Sequence, residues 1–250
     1  MANTVYEFPL NEKVRTYLRL EQLFKQLNFA KKCSEDWQFV NFFDCYFTLL
    51  ELLERLDLRT DILKDIEAHE KNLRLWEQHP KIDKEALGHA LEKILQLKSD
   101  LKGSHKIGTG LKNERFLLSI RQRFSIPGAT CNFDLPNLHY WLKQKAEIID
   151  ADIERWISEF SLIHQAIEIT LSFLRERGRF ESIAANKGFY QGVADDKNDL
   201  IRIHCSSSNN YYPTLSGNKY RYAIRFMRFE PDEHGQINIE DSIEFSLACC

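Results

Sequence analysis

The ratio of leucine to valine constrains the fold of this chain more than any other sequence feature. The 250 residues include 31 leucines but only four valines. Leucine is a good helix former, whereas valine loses side-chain freedom in a helix and is favoured in strands. Only three leucines lie beyond residue 175, and five of the ten glycines lie in the last 73 residues. The sequence therefore predicts a helical part that ends near Gly178 and is followed by strands.

The spacing of apolar residues indicates the class of fold. Residues 62–76 and 87–101 carry apolar side chains at alternating intervals of three and four, which predicts two antiparallel helices joined by a short turn. Whether this hairpin is a projecting arm or part of the core stays open. A single helix is expected over residues 152–177. The pattern is that of an α+β protein, with a helical domain of antiparallel helices and a smaller, mainly antiparallel β-domain.

Alternation of side chains indicates where the strands lie. Within residues 220–229, Arg221 and Arg225 share one strand face, and the aromatic residues share the other. The two arginines are then roughly 13 Å apart along the strand. In full, strands are expected at residues 4–8, 180–185, 188–191, 200–205, 220–229 and 243–248.

Composition excludes several classes of protein. The net charge is −3, which does not favour general nucleic-acid binding. No run of roughly 18 apolar residues occurs, so no membrane span is expected. The first residues do not resemble a signal peptide, and the six cysteines form no C-x-x-C pair. These features predict a cytoplasmic protein with reduced thiols, in which Cys249 and Cys250 simply end the last strand.

No pattern of catalytic or metal-binding residues stands out. The eight histidines are scattered without an H-E-x-x-H motif, and residues 108–112 lack the spacing of a phosphate-binding loop. The G-x-S-x-G motif of α/β-hydrolases is absent as well. The sequence therefore predicts no catalytic residue, no metal and no cofactor, and we expect a protein that is not an enzyme. An enzyme whose site is assembled from distant residues stays open as an alternative.

Arginines are concentrated at three places in this net acidic chain. Because a guanidinium group binds carboxylates and phosphates bidentately, these clusters favour a recognition surface for either group. The alternative is that acidic residues of neighbouring elements neutralise them, as Glu244 would across the sheet. The clusters are Arg15 with Arg19, Arg115 with Arg121 and Arg123, and the four basic residues of 219–228.

Several long blocks of sequence follow one another in the order found in a known family. The first is residues 7–19, EFPLNEKVRTYLR, and the second is residues 120–128, IRQRFSIPG, continued by residues 133–142. The third comprises residues 188–191, 216–219, 222–227 and 245–250. These blocks resemble the ZapD family of bacterial cell-division proteins and span almost the whole chain.

The resemblance implies a homodimer in the cytoplasm, at the mid-cell division site. Such a dimer binds the C-terminal tail of FtsZ, crosslinks or bundles FtsZ filaments, and has no known catalytic activity. The resemblance also implies a helical domain over residues 10–178. A discontinuous β-domain follows over residues 1–9 and 179–250, in which the N-terminal strand joins the C-terminal sheet.

The tail-binding residues of the family form a basic pocket near the dimer interface. His139 is included on the resemblance alone, whereas the arginines also belong to the clusters described above. Arg121 and Arg123 lie in a matching motif, but an ion pair would explain them equally well. The implied partner-binding residues are Arg15, Arg19, Arg115, His139, Arg221 and Arg225.

A different function for the same arginines stays open. They would also suit a module that recognises phosphate in a nucleotide, a nucleic acid or an anionic lipid. The net charge of −3 and the lack of a stripe of aromatic and basic residues along a strand favour the peptide partner instead.

Overall fold

The computed structural model describes most of the chain and divides it into two compact units. The described residues are 3–29, 33–77, 79, 83–103, 114–195, 197–206, 210–218, 220–228, 237–239 and 241–250. Residues 19–170 form one unit, here called the helical unit, and residues 1–18 with 171–250 form the other, here called the sheet unit. The domain boundary expected near residue 178 stays a prediction.

Within the described residues the chain forms eight helices and eight strands, which confirms the α+β fold class. None of the described helices is both long and apolar enough to cross a membrane. The helices are α1 (Glu12–Phe29), α2 (Asp36–Arg55), α3 (Leu58–Trp76), α4 (Lys84–Gly103), α5 (Arg115–Phe124), α6 (Pro136–Trp141), α7 (Ala146–Ser158) and α8 (Ser161–Arg177). The strands are β1 (Asn3–Pro9), β2 (Glu181–Ala185), β3 (Phe189–Val193), β4 (Leu200–Ser206), β5 (Tyr211–Gly217), β6 (Arg221–Arg228), β7 (Ile237–Asn238) and β8 (Ile243–Cys249).

A cluster of aromatic rings forms the core of the helical unit. Phe43 of α2 is fully buried, and its ring centroid lies 5.4 Å from that of Trp141 of α6 and 5.7 Å from that of Trp156 of α7. Phe116 of α5 stacks on Trp156 at 5.6 Å. Aromatic side chains bury large apolar areas and gain further energy from ring contacts. The cluster therefore packs α2, α5, α6 and α7 against one another.

Helices α3 and α4 form the expected antiparallel hairpin. Lys98 of α4 contacts Glu70 at 2.8 Å, and Lys102 contacts Glu67 at 3.1 Å, so chain order is reversed between the two helices. Hydrogen bonds from the lysines lower the pKa of both glutamates. The apolar stripe predicted for α3 is buried except at its end, where Trp76 is 53% exposed.

The hairpin lies against another helix of the helical unit. His89 and Leu97 of α4 line a groove of about 320 Å³ together with Gln165 and Ile169 of α8. This contact indicates that the hairpin is part of the helical unit and not a free arm.

The prediction of one helix over residues 152–177 is wrong. Helix α7 ends at Ser158 and α8 begins at Ser161. The amide of Phe160 donates to the carbonyl of Ile157 at 3.0 Å, which closes a tight final turn. Phe160 is buried, with its ring 5.2 Å from that of Tyr46. Tertiary burial of one ring accompanies the break, and neither glycine nor proline marks it in the sequence.

The sheet unit contains two antiparallel sheets. The first has the strand order β1-β4-β8-β2, and the second has the order β3-β6-β5, with β7 also paired to β6. β1 pairs with β4 along its whole length, so the first strand of the chain is an edge of a sheet otherwise built from C-terminal residues. β5 was not among the expected strands, because Pro213 in a run of polar and aromatic residues is typical of a loop.

The core of the sheet unit lies between the inner faces of the two sheets. Phe226 of β6 and Phe245 of β8 are buried there, with ring centroids 5.1 Å apart. Elsewhere in this unit Glu7 of β1 is bonded by Arg175 of α8 at 2.6 Å and by Arg202 of β4 at 3.0 Å. Alternation along β4, β6 and β8 therefore places apolar side chains of both sheets in one layer between them.

The aromatic cluster leads to a prediction for the stability of the helical unit. Replacing Phe43 by alanine removes a fully buried ring, and we expect the free energy of unfolding to fall by about 3–5 kcal/mol. Trp37→Ala is the matched control, since Trp37 is also on α2 but is 64% exposed, and it should cost less than about 1 kcal/mol. Urea denaturation followed by far-UV circular dichroism measures both, and equal costs would contradict this account of the core.

Candidate functional site

Strand β6 presents two arginines on its outer face. Tyr222, Ile224 and Phe226 point into the core and are at most 3% exposed. The alternation of a strand then directs Arg221 and Arg225 to the opposite face, where both side chains are exposed. The sequence prediction that these two arginines share a strand face is confirmed.

Two apolar side chains of β3 lie beside these arginines. Phe189 pairs with Arg225, and Val193 pairs with Arg221, in the register of β3 and β6. The guanidinium carbon of Arg225 lies 5.8 Å from the ring centroid of Phe189, a cation–π contact. Val193 is 84% exposed and Phe189 is 41% exposed. We call this surface, made of Phe189, Val193, Arg221 and Arg225, the arginine face.

Glycines on both neighbouring strands allow β6 to adopt this orientation. A Cβ atom at Gly192 of β3 would lie 2.3 Å from the ring of Tyr222, and one at Gly217 of β5 would lie 2.7 Å from the Tyr222 backbone. The Tyr222 hydroxyl lies 3.4 Å from the sulfur of Cys249, and burial raises the pKa of Tyr222. With Tyr222 held inward, Arg221 has to face outward.

A short turn fixes the start of β6. The amide of Asn218 donates to the carbonyl of Arg221 at 2.9 Å, and the side-chain oxygen of Asn218 accepts from the amide of Arg221 at 3.2 Å. Lys219, which the sequence analysis counted in the basic cluster, lies outside the described residues. The position of Arg221 is therefore set by backbone bonds at the turn as well as by the strand.

Arg15 and Arg19 lie one turn apart on α1. Asn11 caps this helix, because its side-chain oxygen accepts from the amide of Val14 at 2.9 Å. Arg15 forms an ion pair with Glu12, one turn earlier on the same helix. Arg19 is exposed and forms no ion pair with the described residues. The chain division places Arg15 in the sheet unit and Arg19 in the helical unit.

Arg115 and His139 lie on two helices that pack together within the helical unit. Arg115 is the first residue of α5, and His139 is in α6. Phe116 and Trp141 join these helices, with ring centroids 5.7 Å apart. Arg115 is exposed, whereas the Nε2 atom of His139 donates to the carbonyl of Thr130 at 3.0 Å. This bond holds the imidazole ring in one orientation and leaves Nδ1 for another partner.

Ion pairs account for Arg121 and, more weakly, for Arg123. Arg121 donates to both carboxylate oxygens of Glu54 at 3.1 and 2.8 Å, and this pairing raises the pKa of Arg121. Arg123 lies 4.0 Å from Asp134. Of the two explanations that the sequence left open for Arg121, the structure shows the ion pair.

Two acidic residues close in sequence or expected to lie nearby do not neutralise Arg115 or Arg221 in the described parts of the chain. Glu244 is in β8 of the first sheet and pairs with Ala184, so it does not lie across the sheet from β6 as expected. Glu114 bonds Arg155 at 2.5 Å, although it precedes Arg115 directly. Arg19, Arg115 and Arg221 form no ion pair there. They remain available to an outside carboxylate or phosphate.

The described residues contain no group that would hold a metal ion. No three side chains among their histidines, cysteines, aspartates and glutamates lie together as ligands would. A groove of about 730 Å³ lies on α1 and α2, and its lining includes Phe29, Trp37 and Asp44. Its lining holds one carboxylate together with apolar, amide, thiol and hydroxyl side chains, so it contains no pair of carboxylates for acid–base chemistry.

Sequence reasoning missed the apolar half of the arginine face. The strand expected at residues 188–191 stopped before Val193, and no role was given to Phe189. The alternation of Phe189, Gln191 and Val193 is the signal that would have placed them on one face. Their alignment with Arg221 and Arg225 depends on the register between β3 and β6, which is a tertiary property.

The fold and the arginine face define an α+β protein with a basic and partly apolar exposed surface on one sheet. The family model for ZapD, described as "Cell division protein", matches residues 18–225. The protein named Cell division protein ZapD from Shewanella sp. (strain MR-4) is 40% identical over 250 residues, which is 100% of both chains. The proteins of the same name from Photobacterium profundum and Vibrio parahaemolyticus are 40% and 39% identical to this chain. Both alignments cover 250 residues, which is again 100% of each chain.

The chain therefore belongs to the ZapD family, and it has a role in cell division. The resemblance drawn from the sequence blocks is confirmed.

The ion pair of Arg121 leads to a prediction for stability. Both side chains are partly exposed, at 30% for Arg121 and 39% for Glu54, so we expect a coupling energy of roughly 0.5–1 kcal/mol. A double-mutant cycle with Arg121→Ala and Glu54→Ala, measured by urea denaturation, tests it. Additive effects of the two substitutions would contradict a structural role for this pair.

Proposed function

We propose that this protein is a homodimer that binds the C-terminal tail of FtsZ and crosslinks FtsZ filaments, so that it promotes assembly of the division ring in the cytoplasm at mid-cell. The proposed tail-binding residues are Arg15, Arg19, Arg115, His139, Arg221 and Arg225. The observation that carries the proposal is the arginine face, because it joins exposed guanidinium groups to exposed apolar side chains on one rigid strand pair.

The chemistry of the arginine face suits a peptide with both acidic and apolar side chains. Arg221 is exposed at the edge of this surface and provides a planar fork for a carboxylate. Val193, directly opposite in register, provides an apolar contact that a bare anion does not use. The contacts between charges weaken as the salt concentration rises, so tail binding should depend on ionic strength.

A dimer with two copies of a weak tail-binding site can crosslink two filaments. A twofold axis gives two copies of the same site, and each copy holds one FtsZ tail. Because tails repeat along a filament, a dimer bound by one tail meets the next at a high effective concentration. Bundling then follows from geometry without any catalytic step.

The alternative is a module that binds phosphate or nucleic acid through the same arginines. The exposed Val193 favours the peptide, because phosphate recognition needs donors and not aliphatic surface. Fluorescence anisotropy with a labelled tail peptide and with a labelled oligonucleotide separates the two functions.

The tail site leads to a prediction for one arginine. We expect Arg221→Ala to weaken binding of the tail peptide roughly tenfold or more, because a charge-assisted hydrogen bond is lost, and to reduce bundling. Co-sedimentation with full-length FtsZ measures bundling. Arg179→Ala is the matched control, since Arg179 is an exposed arginine of the same unit outside the proposed site.

Two outcomes would contradict this proposal. Unchanged bundling by Arg221→Ala would show that the arginine face is not the site. Equal co-sedimentation with FtsZ that lacks its tail would show that the tail is not the partner.

The crosslinking role also predicts the mass of the protein in solution. We expect light scattering after size-exclusion chromatography to give twice the chain mass of 29.5 kDa. A monomer at the concentrations that bundle filaments would rule out crosslinking by a twofold dimer, while leaving tail binding possible.

A further inference from the structure

Glu114 directly precedes Arg115, yet its carboxylate is held by a residue of another helix. Arg155 of α7 donates to the Oε2 atom of Glu114 at 2.5 Å, and all three residues belong to the helical unit. Glu114 is also the N-cap residue of α5, but its side chain forms no capping hydrogen bond with that helix. The carboxylate next in sequence to Arg115 is therefore turned towards α7.

Two further contacts hold the guanidinium group of Arg155 in place. One of its nitrogens donates to Asp152, one turn earlier on α7, at 2.8 Å. Its central carbon lies 5.6 Å from the ring centroid of Trp156. Hydrogen bonds with Asp152 and Glu114 raise the pKa of Arg155, so its positive charge is retained. The planar fork of the guanidinium group thus joins two carboxylates from different helices.

Asp152 also connects α7 to the helix that carries His139. The indole nitrogen of Trp141 donates to the Oδ2 atom of Asp152 at 2.9 Å, whereas Arg155 bonds the Oδ1 atom. Trp141 and His139 both belong to the six-residue helix α6. A chain of hydrogen bonds through α7 therefore joins α6 to the start of α5.

This network is too exposed to contribute much to stability. The side chain of Arg155 is 53% exposed, and those of Glu114 and Asp152 are 24% and 26% exposed. Solvent weakens ion pairs at such positions, and many of them change the free energy of unfolding very little. The fold should therefore tolerate the loss of Arg155, and its effect should fall on the charges nearby.

A released Glu114 carboxylate would have Arg115 within reach. The backbone of Glu114 is extended, with φ −79° and ψ 95°, so its side chain is not held to the helical spacing at which successive side chains diverge. The Cα atoms of neighbouring residues are about 3.8 Å apart, and both side chains are long. In the described part of the chain Arg115 is exposed and forms no ion pair. Without Arg155, attraction between opposite charges would bring Glu114 to it.

We propose that Arg155 is a positioning residue of the candidate site, which holds Glu114 away from Arg115 and so keeps the Arg115 guanidinium free for an anionic group of the partner. Asp152 holds Arg155 in the orientation that this requires. Arg155 itself needs no contact with the partner. This inference rests on the proposed function, since Arg115 is one of the proposed tail-binding residues.

A rescue experiment tests the positioning role. We expect Arg155→Ala to weaken binding of a labelled FtsZ tail peptide about fivefold in fluorescence anisotropy, because Glu114 then occupies Arg115. Adding Glu114→Gln to Arg155→Ala should restore the affinity to within about twofold, because a neutral amide does not compete for the guanidinium group. A merely structural role of Arg155 predicts no rescue, since the double variant lacks the same bond.

Arg74→Ala is the matched control. Arg74 is 51% exposed and forms an ion pair with Glu70 in the same unit, so its loss breaks a bond of the same kind away from Arg115. Its affinity for the peptide should equal that of the unaltered protein. Equal thermal midpoints of all variants would show that the fold is retained.

Chemical modification gives a second test that needs no partner. Phenylglyoxal modifies accessible guanidinium groups, and mass spectrometry of peptides measures the rate at each arginine. We expect the rate at Arg115 to fall several-fold in Arg155→Ala, because the Glu114 carboxylate covers the group, and to return in the double variant. An unchanged rate at Arg115 would show that Arg155 does not keep it free.

The outcomes separate this inference from the proposed function. If Arg155→Ala binds the peptide normally, the positioning role is wrong and tail binding stands. Weak binding that Glu114→Gln does not restore also overturns the positioning role, because it shows a structural effect. If the unaltered protein does not bind the tail peptide, the proposed function is overturned, and the modification rates alone decide whether Arg155 keeps Arg115 free.

Discussion

The hydrogen-bonding register of β6 is the constraint on which the sheet unit depends. This strand pairs with β3, β5 and β7, so its position fixes the whole second sheet. Because side chains alternate along a strand, Tyr222, Ile224 and Phe226 point into the core. Arg221 and Arg225 therefore point to the opposite face of the sheet. A shift of one residue would bury two guanidinium groups and expose three large side chains. Packing of the core thus determines which residues of β6 form the arginine face.

The same register determines the direction of the backbone groups of β3. Because Tyr190 and Gly192 bond to β6, the intervening residues present their amides and carbonyls outward, next to exposed Val193. Natural sheets usually protect such edges with proline or charge. Pro213 and Pro9 fit that rule on two other edges, whereas β3 has no such residue. The described part of β3 therefore lacks the protection that proline gives to β1 and β5.

The local sequence pattern predicted most helices and strands correctly. It failed where tertiary contacts override the local preference of the chain. The hairpin of α3 and α4 followed from the spacing of its apolar residues, and the cap at Asn11 followed from residue type. The break between α7 and α8 did not, because burial of Phe160 redirects the chain without a local breaker. β5 was missed since Pro213 is tolerated at an edge that only the folded sheet defines. The shared strand face of Arg221 and Arg225 was anticipated from alternation, and the position of Val193 beside them was not.

The sequence by itself determined the α+β class, the concentration of arginine on one face of β6 and membership of the ZapD family through its ordered motifs. These properties depend on residue types and on the spacing of apolar residues over short stretches, and both can be read directly from the sequence. Only the tertiary structure decided which arginines are paired, since Arg121 meets Glu54 across 67 positions while Glu244 belongs to a different sheet from Arg221. It also decided that Val193 and Phe189 stand beside the arginines, because strand register brings together residues that no local pattern connects.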